Sequence, residues 1–480
     1  MDKNQLYYGD NLEVLKQYVK DESVDLVYLD PPFNSNRDYT AIFAKDRPED
    51  EAKAQIEAFE DTWVWTPETE RQYNDFLSST PGIVVDTLSA FRTMLGENSA
   101  MAYLVNMTPR LLELHRVLKP SGSLFLHCDP TMSHYLKILL DAIFARPGGF
   151  VNEVIWSYKS GGASKKHFSR KHDTLLFYAK DLKKKKFNVL KMKSYNRDFK
   201  PYRFKGVEEF QDEIGWYTMV NMTDVWPIDM VGRTSSERLG YPTQKPVALV
   251  KRVIEATTDP GDVVLDPFCG CGTTVDAAQR LGRRWIGIDI TYIAIDLITK
   301  RLIHTFGPSI MDSIEIYGIP RDLGAARALF AHSPFDFERW AVSMVGAEPN
   351  QKQVGDRGVD GVARFPLGGG KYGRVLVSVK GGKTLNPGMV RDLAGTIESQ
   401  NAQMGILITM EPPTRGVIQA VNVGGTYTHP GNGQVYPKLQ VISVPELLDG
   451  KKPQVPPTLL PYIPAERLAQ VDETDTLPFE

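Results

Sequence analysis

The sequence predicts an α/β protein, built on a doubly wound and mostly parallel sheet, with a smaller α/β/α domain later in the chain. Three observations lead there. Short apolar runs alternate with stretches of helical spacing over roughly the first 300 residues, as in βαβ units. Two of those runs end in a carboxylate and a turn: 24–29 leads into Asp30-Pro31-Pro32-Phe33, and 263–265 leads into Asp266-Pro267-Phe268-Cys269-Gly270-Cys271-Gly272. Beyond Pro334 the pattern restarts around its own buried run, 375–379, and a chain of 480 residues exceeds what one hydrophobic core organises.

Composition narrows the class. The three cysteines, Cys128, Cys269 and Cys271, are too few for a disulfide framework, and a single residue separates the last two. The start, Met1-Asp2-Lys3-Asn4, has no basic stretch followed by an apolar one. No segment approaches the roughly 18 apolar residues of a membrane span, so a cytoplasmic protein is expected. A net charge of −3 by itself argues against a nucleic-acid partner, yet residues 159–205 hold sixteen Lys and Arg against three Asp, a local +13. Tyr158, Phe168, Phe187, Tyr195, Phe199, Tyr202 and Phe204 are interleaved with that charge. Rings that can stack on bases among cations that can neutralise phosphates predict contact with nucleic acid, whereas the run 183–186 alone reads as a solvated face.

Taken in order, residues 5–8 form a strand, Gly9-Asp10-Asn11 a capping turn, and Leu12, Leu15 and Val19 the buried face of a helix. The run 24–29 is a buried strand, and Pro31 and Pro32 forbid both further ladder bonds and an immediate helix. The chain therefore leaves the sheet presenting the Asp30 carboxylate, a carbonyl with no N–H following it, and the Phe33 ring. This is the strand end where open α/β sheets bind ligands, and acceptors without donors suit a substrate that donates, such as an exocyclic amine. By itself the tetrapeptide reads equally as a proline turn. Residues 34–98 carry Trp63, Trp65, Tyr73 and Phe76 without a sustained period and are expected to form a lid-like insertion. Leu104, Met107, Leu111, Leu114 and Leu118 define a helix that residues 119–122 stop. A strand at 123–127, a helix with Tyr135, Ile138, Leu139, Ala142 and Ile143, and strands at 151–156 and 174–178 lead to the basic segment.

After that segment, Pro242-Thr243-Gln244-Lys245-Pro246 precedes a helix with Leu249, Val250, Val253 and Ile254. Next come the strand ending at Asp266, the glycine turn, a helix with Val275, Ala277, Ala278 and Leu281, and a strand at 285–288 with Asp289 at its tip. This is a nucleotide-binding βαβ unit, with Asp289 placed to accept from ribose hydroxyls. The loop lacks the lysine of a phosphate-binding loop and is shorter than the dinucleotide fingerprint, which points to an adenosyl ligand without a pyrophosphate. Cys269 and Cys271 read as small packing residues rather than metal ligands, since they have no second ligand pair.

With both motifs in view, the chain from Gln5 to about Thr305 resembles the amino-methylating DNA methyltransferases in their permuted, β-class arrangement. The quoted motifs stand in that family's order: Asp30-Pro31-Pro32-Phe33, then Pro242 to Pro246, then Phe268-Cys269-Gly270-Cys271-Gly272. The resemblance implies an S-adenosylmethionine-dependent enzyme that flips a base out of double-stranded DNA and methylates its exocyclic nitrogen. Asp30 and the Pro31 carbonyl would accept the two amine N–H bonds, with Pro32 fixing the turn and Phe33 stacking on the base. Asp in the first position is similar to the adenine-N6 enzymes, with cytosine-N4 the alternative. The resemblance also implies Asp10 near the cofactor adenine, Asp266 near its methionine amine, and Phe268, Gly270, Gly272 and Thr273 along the loop. It puts Asp289 on the ribose, with Thr243 and Lys245 near the methionine end. His172-Asp173 resembles a late motif beside the flipped base, and Trp216, Tyr217 and Trp226 are groove or core aromatics of the recognition segment.

The C-terminal third, with Gly358-Val359-Asp360-Gly361 before the strand 375–380, resembles the catalytic domain of Mrr-type restriction endonucleases, a branch of the PD-(D/E)xK nucleases. That resemblance implies Asp360 and Lys380 as catalytic residues, with Glu338 and Asp360 as Mg²⁺ ligands. Ser378 stands where the family has Gln or Glu, and a hydroxyl is a weaker Mg²⁺ ligand, so an active nuclease and a degenerate DNA- or partner-binding domain both remain open.

The expected layout is a methyltransferase domain at 1–315 with a target-recognition segment at 181–240, a linker at 316–333, an endonuclease-like domain at 334–450, and a Pro-rich acidic tail at 451–480. The expected function is a site-specific DNA adenine methyltransferase of a restriction-modification system. Its partners would be double-stranded DNA and either a second copy, as a homodimer, or a separate restriction subunit. A single-chain enzyme that both marks and cuts is the bolder alternative.

Overall fold

The structure, a computed structural model, describes residues 3–31, 40–42, 55–57, 65–79, 82–159, 165–232, 235, 237–239, 244–349, 358–368, 371–382, 384–431 and 433–457. The chain divides into two compact units. The first comprises residues 1–37, 60–238 and 243–289, and the second 38–59, 239–242 and 290–480. Among the described residues no helix is long and apolar enough to cross a membrane.

The first unit opens with β1 (Asn4–Tyr8), α1 (Asn11–Tyr18) and β2 (Val24–Leu29). All six residues of β2 are buried. Asp25 within it is matched by the Lys119 ammonium at 2.7 Å and the Val263 N–H at 2.9 Å, so its charge ties three neighbouring strands together. Two short strands of the second unit, β3 (Thr40–Ile42) and β4 (Gln55–Glu57), pair with one another antiparallel. Helices α2 (Pro67–Ser79), α3 (Ile83–Leu95) and α4 (Ser99–Val117) follow.

The stretch expected as an irregular insertion thus holds two helices over 67–95 and the short pair β3–β4, and most of the remainder lies outside the described residues. Tyr73 on α2 and Val84, Leu88 and Phe91 on α3 are buried. Arg92 on α3 pairs with Glu70 on α2 at 2.7 Å and lies over the rings of Trp65 and Tyr73. Phe91 meets Tyr135 edge-on at 5.7 Å. On α3 the buried residues Val84, Leu88 and Phe91 stand at helical spacing, whereas α2, with Tyr73 its one buried side chain among the described residues, has a weaker pattern.

Next come β5 (Leu118–Cys128), α5 (Ser133–Ile143), β6 (Gly149–Ser157) and β7 (His172–Ala179). The helix stops at Val117, as expected, and residues 119–122 run on as extended strand. The segment that follows forms a small antiparallel sheet of β8 (Lys191–Tyr195), β9 (Phe210–Gln211) and β10 (Trp216–Asn221), and β11 (Val225–Pro227) returns to the main sheet. The unit closes with α6 (Val247–Thr257), β12 (Val263–Asp266), α7 (Thr273–Arg280) and β13 (Arg284–Asp289). In the main sheet these strands run β11-β6-β7-β5-β2-β12-β13-β1. β1, β13, β12, β2 and β5 are parallel, and β7 runs antiparallel to β5 and β6 on either side. The mostly parallel expectation therefore holds with one reversed strand. As a result the start of β7 lies on the same edge as the ends of β5, β2, β12 and β13.

In the second unit, α8 (Tyr292–Phe306) and β14 (Ile314–Tyr317) precede α9 (Leu323–His332), so the expected linker at 316–333 is largely helical. α8 was expected to belong with the methyltransferase sheet, but it clusters with this unit, where Ser343 donates to the Tyr292 hydroxyl at 2.9 Å. α10 (Pro334–Met344) and β15 (Glu348–Pro349) lead to β16 (Gly361–Gly368), β17 (Lys371–Lys380), α11 (Pro387–Ser399), β18 (Met404–Thr409) and α12 (Arg415–Asn422). The pair β19 (Thr426–Thr428) and β20 (Val435–Pro437) precedes β21 (Leu439–Ser443) and α13 (Val444–Leu448). The sheet runs β15-β16-β17-β18-β21, with β17, β18 and β21 parallel. Leu376 and Leu407 meet Val390, Leu393 and Ile397 of α11 in one apolar cluster. Gly405 permits that approach, since a Cβ there would stand 2.6 Å from the Ile397 Cδ1.

A carboxylate–histidine site at the strand ends

Asp30 follows the buried strand β2, and its carboxylate forms an ion pair with Lys245, which precedes α6. The other oxygen, Oδ1, lies 3.8 Å from Nδ1 of His127, near the end of β5. His127 is wholly buried. Its Nε2 stands 3.3 Å from Asp173 Oδ2 at the start of β7, and its Nδ1 is 3.2 Å from the Tyr28 hydroxyl. Tyr158 donates to Asp173 at 3.3 Å, and Trp156 meets the imidazole edge-on at 5.4 Å. The reversed strand makes this cluster possible, because it delivers Asp173 where its neighbours deliver their last residues.

Electrostatics fixes several protonation states. Burial, together with Asp30, Asp266 and Asp173, raises the Tyr28 hydroxyl well above its ordinary value, so it stays protonated and can donate. Burial pushes the Asp173 carboxyl up, but the hydrogen bond and charge of His127, then Lys245 and Tyr158, outweigh it and leave Asp173 below its usual range.

The second half of the site lies across the β2–β12 contact. Asp266 is buried at the end of β12 and accepts from the Phe268 N–H at 3.0 Å. Burial pushes its carboxyl up to about 7; hydrogen bonds from Thr274 and Phe268 oppose the rise, and the charges of Asp30 and Asp289 add to it. The glycine loop turns on two residues with positive φ, Gly270 at 47° and Gly272 at 75°, the second capping α7 in the left-handed region. Asp289 closes the loop from β13 by accepting the Gly270 N–H at 2.9 Å. Thr273 donates to the Lys245 carbonyl at 3.3 Å, linking the loop to the segment that carries the Asp30 partner. Phe268 is half-buried, and Cys269 and Cys271 are buried.

Asp10 caps α1, accepting from Leu12 and Glu13, and pairs with Arg110 on α4 at 2.6 Å. Asn11 reaches the Pro267 carbonyl at 2.9 Å, which seats that turn against the glycine loop. Asp10, Lys245, Asp266, Phe268, Gly270, Gly272, Thr273 and Asp289 are thus connected around one loop, while Pro32, Phe33 and Thr243 lie outside the described residues. Sequence reasoning missed His127, Tyr28 and Arg110 as members of the site. The available signal was a histidine at the end of a buried strand, the position Asp30, Asp266 and Asp289 also hold.

In the basic segment, Lys186 turns inward to Asp259 and Asp262 at 2.9 and 2.5 Å, and Lys193 pairs with Asp212 at 2.8 Å. Part of the local charge is therefore structural. The aromatics divide as well. Trp226 is core, donating to the Thr223 carbonyl at 2.7 Å, whereas Phe168 is 98% exposed and Phe187, Phe199 and Phe204 are also exposed.

In the second unit Asp360 precedes β16, and its Oδ2 accepts the Val379 N–H at 2.5 Å and the Ser378 hydroxyl at 3.4 Å. Lys380 ends the same strand as Ser378, while Glu338 is half-buried on α10. Among the described residues no group of three His, Cys, Asp or Glu side chains is arranged to hold a metal. The structure thus brings Asp360 and Ser378 together without assembling a metal-binding set that includes Glu338.

The chain belongs to the N6/N4 DNA methylase family, whose model matches residues 24–300. It is 27% identical over 303 residues to the DNA adenine methyltransferase YhdJ of Escherichia coli K12, covering 62% of this chain and 82% of that protein. It is 31% identical over 294 residues to the type II methyltransferase M.BamHI of Bacillus amyloliquefaciens, covering 60% of this chain and 55% of the relative. A crystal structure of an M1.HpyAVI–SAM complex matches at 18% identity with a TM-score of 0.37, covering 62% of this chain and 98% of that one. The chain is accordingly a DNA methyltransferase of the N6/N4 family. Residues 335–449 match a second family, described as NACHT-associated inactive restriction endonuclease 1. That description narrows the Mrr-type expectation to a restriction-endonuclease-like domain and lends no support to Mg²⁺-dependent cutting.

Proposed function

We propose that the first unit transfers a methyl group from S-adenosylmethionine to the exocyclic N6 of adenine in double-stranded DNA. The observation that carries this reading is the Asp30 carboxylate, held beside a loop closed by Asp289 and flanked by Asp266. Positive-φ glycines, a carboxylate at the tip of the next strand and a second one facing the loop fit an adenosyl group bearing a cationic methionine end. When bound there, S-adenosylmethionine supplies an electrophilic methyl on a sulfonium. Asp30 and the Pro31 carbonyl accept the amine hydrogens, which draws the nitrogen lone pair out of the ring. The pairing of early strands β1 and β2 with late strands β13 and β12 supports the permuted arrangement. The exposed rings and remaining cations of the basic segment suit a DNA backbone and an unstacked base.

For the second unit we propose a module that binds DNA or a partner without cutting. The Asp360 carboxylate is engaged by the Val379 amide, and Ser378 replaces the residue that would share a metal with it.

Incubation with methyl-labelled S-adenosylmethionine and duplex DNA, followed by nucleoside analysis, tests the first proposal. Label is expected in N6-methyladenine. Label confined to N4-methylcytosine, or none in DNA, overturns it. Asp30→Ala is expected to abolish transfer while leaving cofactor binding nearly intact.

A further inference from the structure

We propose that Tyr28, His127 and Asp173 form a proton relay behind Asp30, which carries away the proton that methylation forces off the substrate nitrogen. The inference rests on the amino-methylation reading above and deepens it with Tyr28 and His127, which none of the motifs named above contains, and with a role for Asp173.

The geometry defines the direction. Asp173 is an ionised carboxylate and can only accept, so His127 Nε2, 3.3 Å away, carries the hydrogen. Nδ1 is then the lone-pair nitrogen. The protonated Tyr28 hydroxyl donates to it at 3.2 Å, and Asp30 Oδ1 faces it at 3.8 Å. A buried imidazole between two carboxylates, with its acceptor nitrogen toward the reacting group and its donor toward a second carboxylate, is arranged to take a proton from one side and give one up on the other. The Asp30 to His127 separation is long for a hydrogen bond and has to shorten for the transfer. Lys245 holds the other Asp30 oxygen.

The balance of the step is complete. The new N–C bond forms as the methyl–sulfur bond breaks, and that electron pair stays on sulfur. The nitrogen, now with a positive charge, gives one hydrogen to Asp30. Asp30 passes it to His127 Nδ1, and the Tyr28 hydroxyl turns aside. His127 Nε2 gives its hydrogen to Asp173, whose side chain is 17% exposed and returns it to water. His127 and Asp173 act through Asp30 and are positioning residues.

Groups facing His127 are Tyr28 and Asp30 from β2 and its end, Asp173 from β7, and Tyr158 and Trp156 from the end of β6. Lys245 faces the same cluster through Asp30 and Asp173, and Asp266 faces Tyr28 from β12. Two substitutions that barely change volume therefore push His127 in opposite directions. Asp173→Asn removes the charge that favours imidazolium, and Tyr28→Phe removes the hydroxyl that favours neutral imidazole.

The test pairs single-turnover methyl transfer against pH with ¹⁵N-histidine NMR of the full-length protein, assigning His127 by its absence in His127→Gln. The wild type is expected to show the Nε2–H tautomer. Asp173→Asn should move the low-pH limb of the transfer rate to lower pH, and Tyr28→Phe should move it to higher pH. His127→Gln keeps a donor toward Asp173 and should lose about 10²-fold in rate, the ordinary contribution of general-base help. An active wild type with the Nδ1–H tautomer, or variants that scale the rate uniformly without moving the limb, overturns the relay alone. A wild type that moves no methyl to DNA overturns the proposed function and the relay with it.

Discussion

Lys245 and Asp30, separated by 215 positions, meet as an ion pair at the centre of the site. Each half of the methyltransferase unit supplies one partner. The lysine holds one oxygen of Asp30, and its charge also reaches Asp173.

Lys245→Met is therefore expected to slow methyl transfer about tenfold or more, because Asp30 loses the cation paired with it. Lys245→Arg should recover most of the rate. Single-turnover rates of the three proteins check this. A Lys245→Met rate equal to that of the wild type would place the lysine's role elsewhere.

Asp266 carries a pH dependence of its own. Its carboxyl is raised to about 7 in the fold, against about 4 in an unfolded chain, so folding favours its protonated form. The stability it contributes is complete below about pH 4 and declines as pH rises to about 7. Thermal unfolding of the ligand-free protein should show that decline, and Asp266→Asn should flatten it. Affinity for S-adenosylmethionine should move the other way, rising through about pH 7 as the carboxylate becomes available to an ammonium group. Isothermal titration at pH 6 and pH 8 reads the difference.

Asp10 has a supporting role that a ligand contact alone would not predict. It satisfies two amides at the start of α1 and binds Arg110. Asp10→Ala should cost about 1 kcal/mol from the lost cap. Asp10→Asn keeps a capping oxygen and should recover most of that loss in urea unfolding, while weakening the contact to Arg110.

For the second unit, incubation of the wild type with supercoiled plasmid and Mg²⁺, with and without S-adenosylmethionine, should leave the plasmid intact. Asp360→Ala should lower thermal stability by freeing the Val379 amide. Cleavage by the wild type that disappears in Asp360→Ala and Lys380→Ala would reverse the assignment.

The strands that build the sheet were legible because β2, β12 and the 375–379 run are continuous apolar segments, and the glycine loop was legible because its neighbours in sequence are also its neighbours in space. His127 was not. Its significance depends on Asp173 lying opposite, which follows from strand order and direction rather than from local pattern. Of the helices at 67–95, α3 was legible, since Val84, Leu88 and Phe91 stand at helical spacing, and sequence reasoning overlooked it; α2 was not, because Tyr73 is held by Trp65 and Arg92 rather than by a period of its own. Ser378 was legible as a departure from a familiar motif and left cutting open, whereas the hydrogen bond that engages Asp360 from Val379 depends on strand packing and was not readable.

The reversed strand β7 has a mechanical consequence. With β6 it makes a hairpin, closed at Ser157 and His172 and by the Tyr158 N–H to the Lys171 carbonyl at 3.0 Å. The cations Lys159, Arg170 and Lys171 project just beyond that closure, and Tyr158 and Asp173 lie just inside it. A polyanion bound at the outer residues would load the hydrogen bond that holds Tyr158, and through it Asp173 and His127, in place.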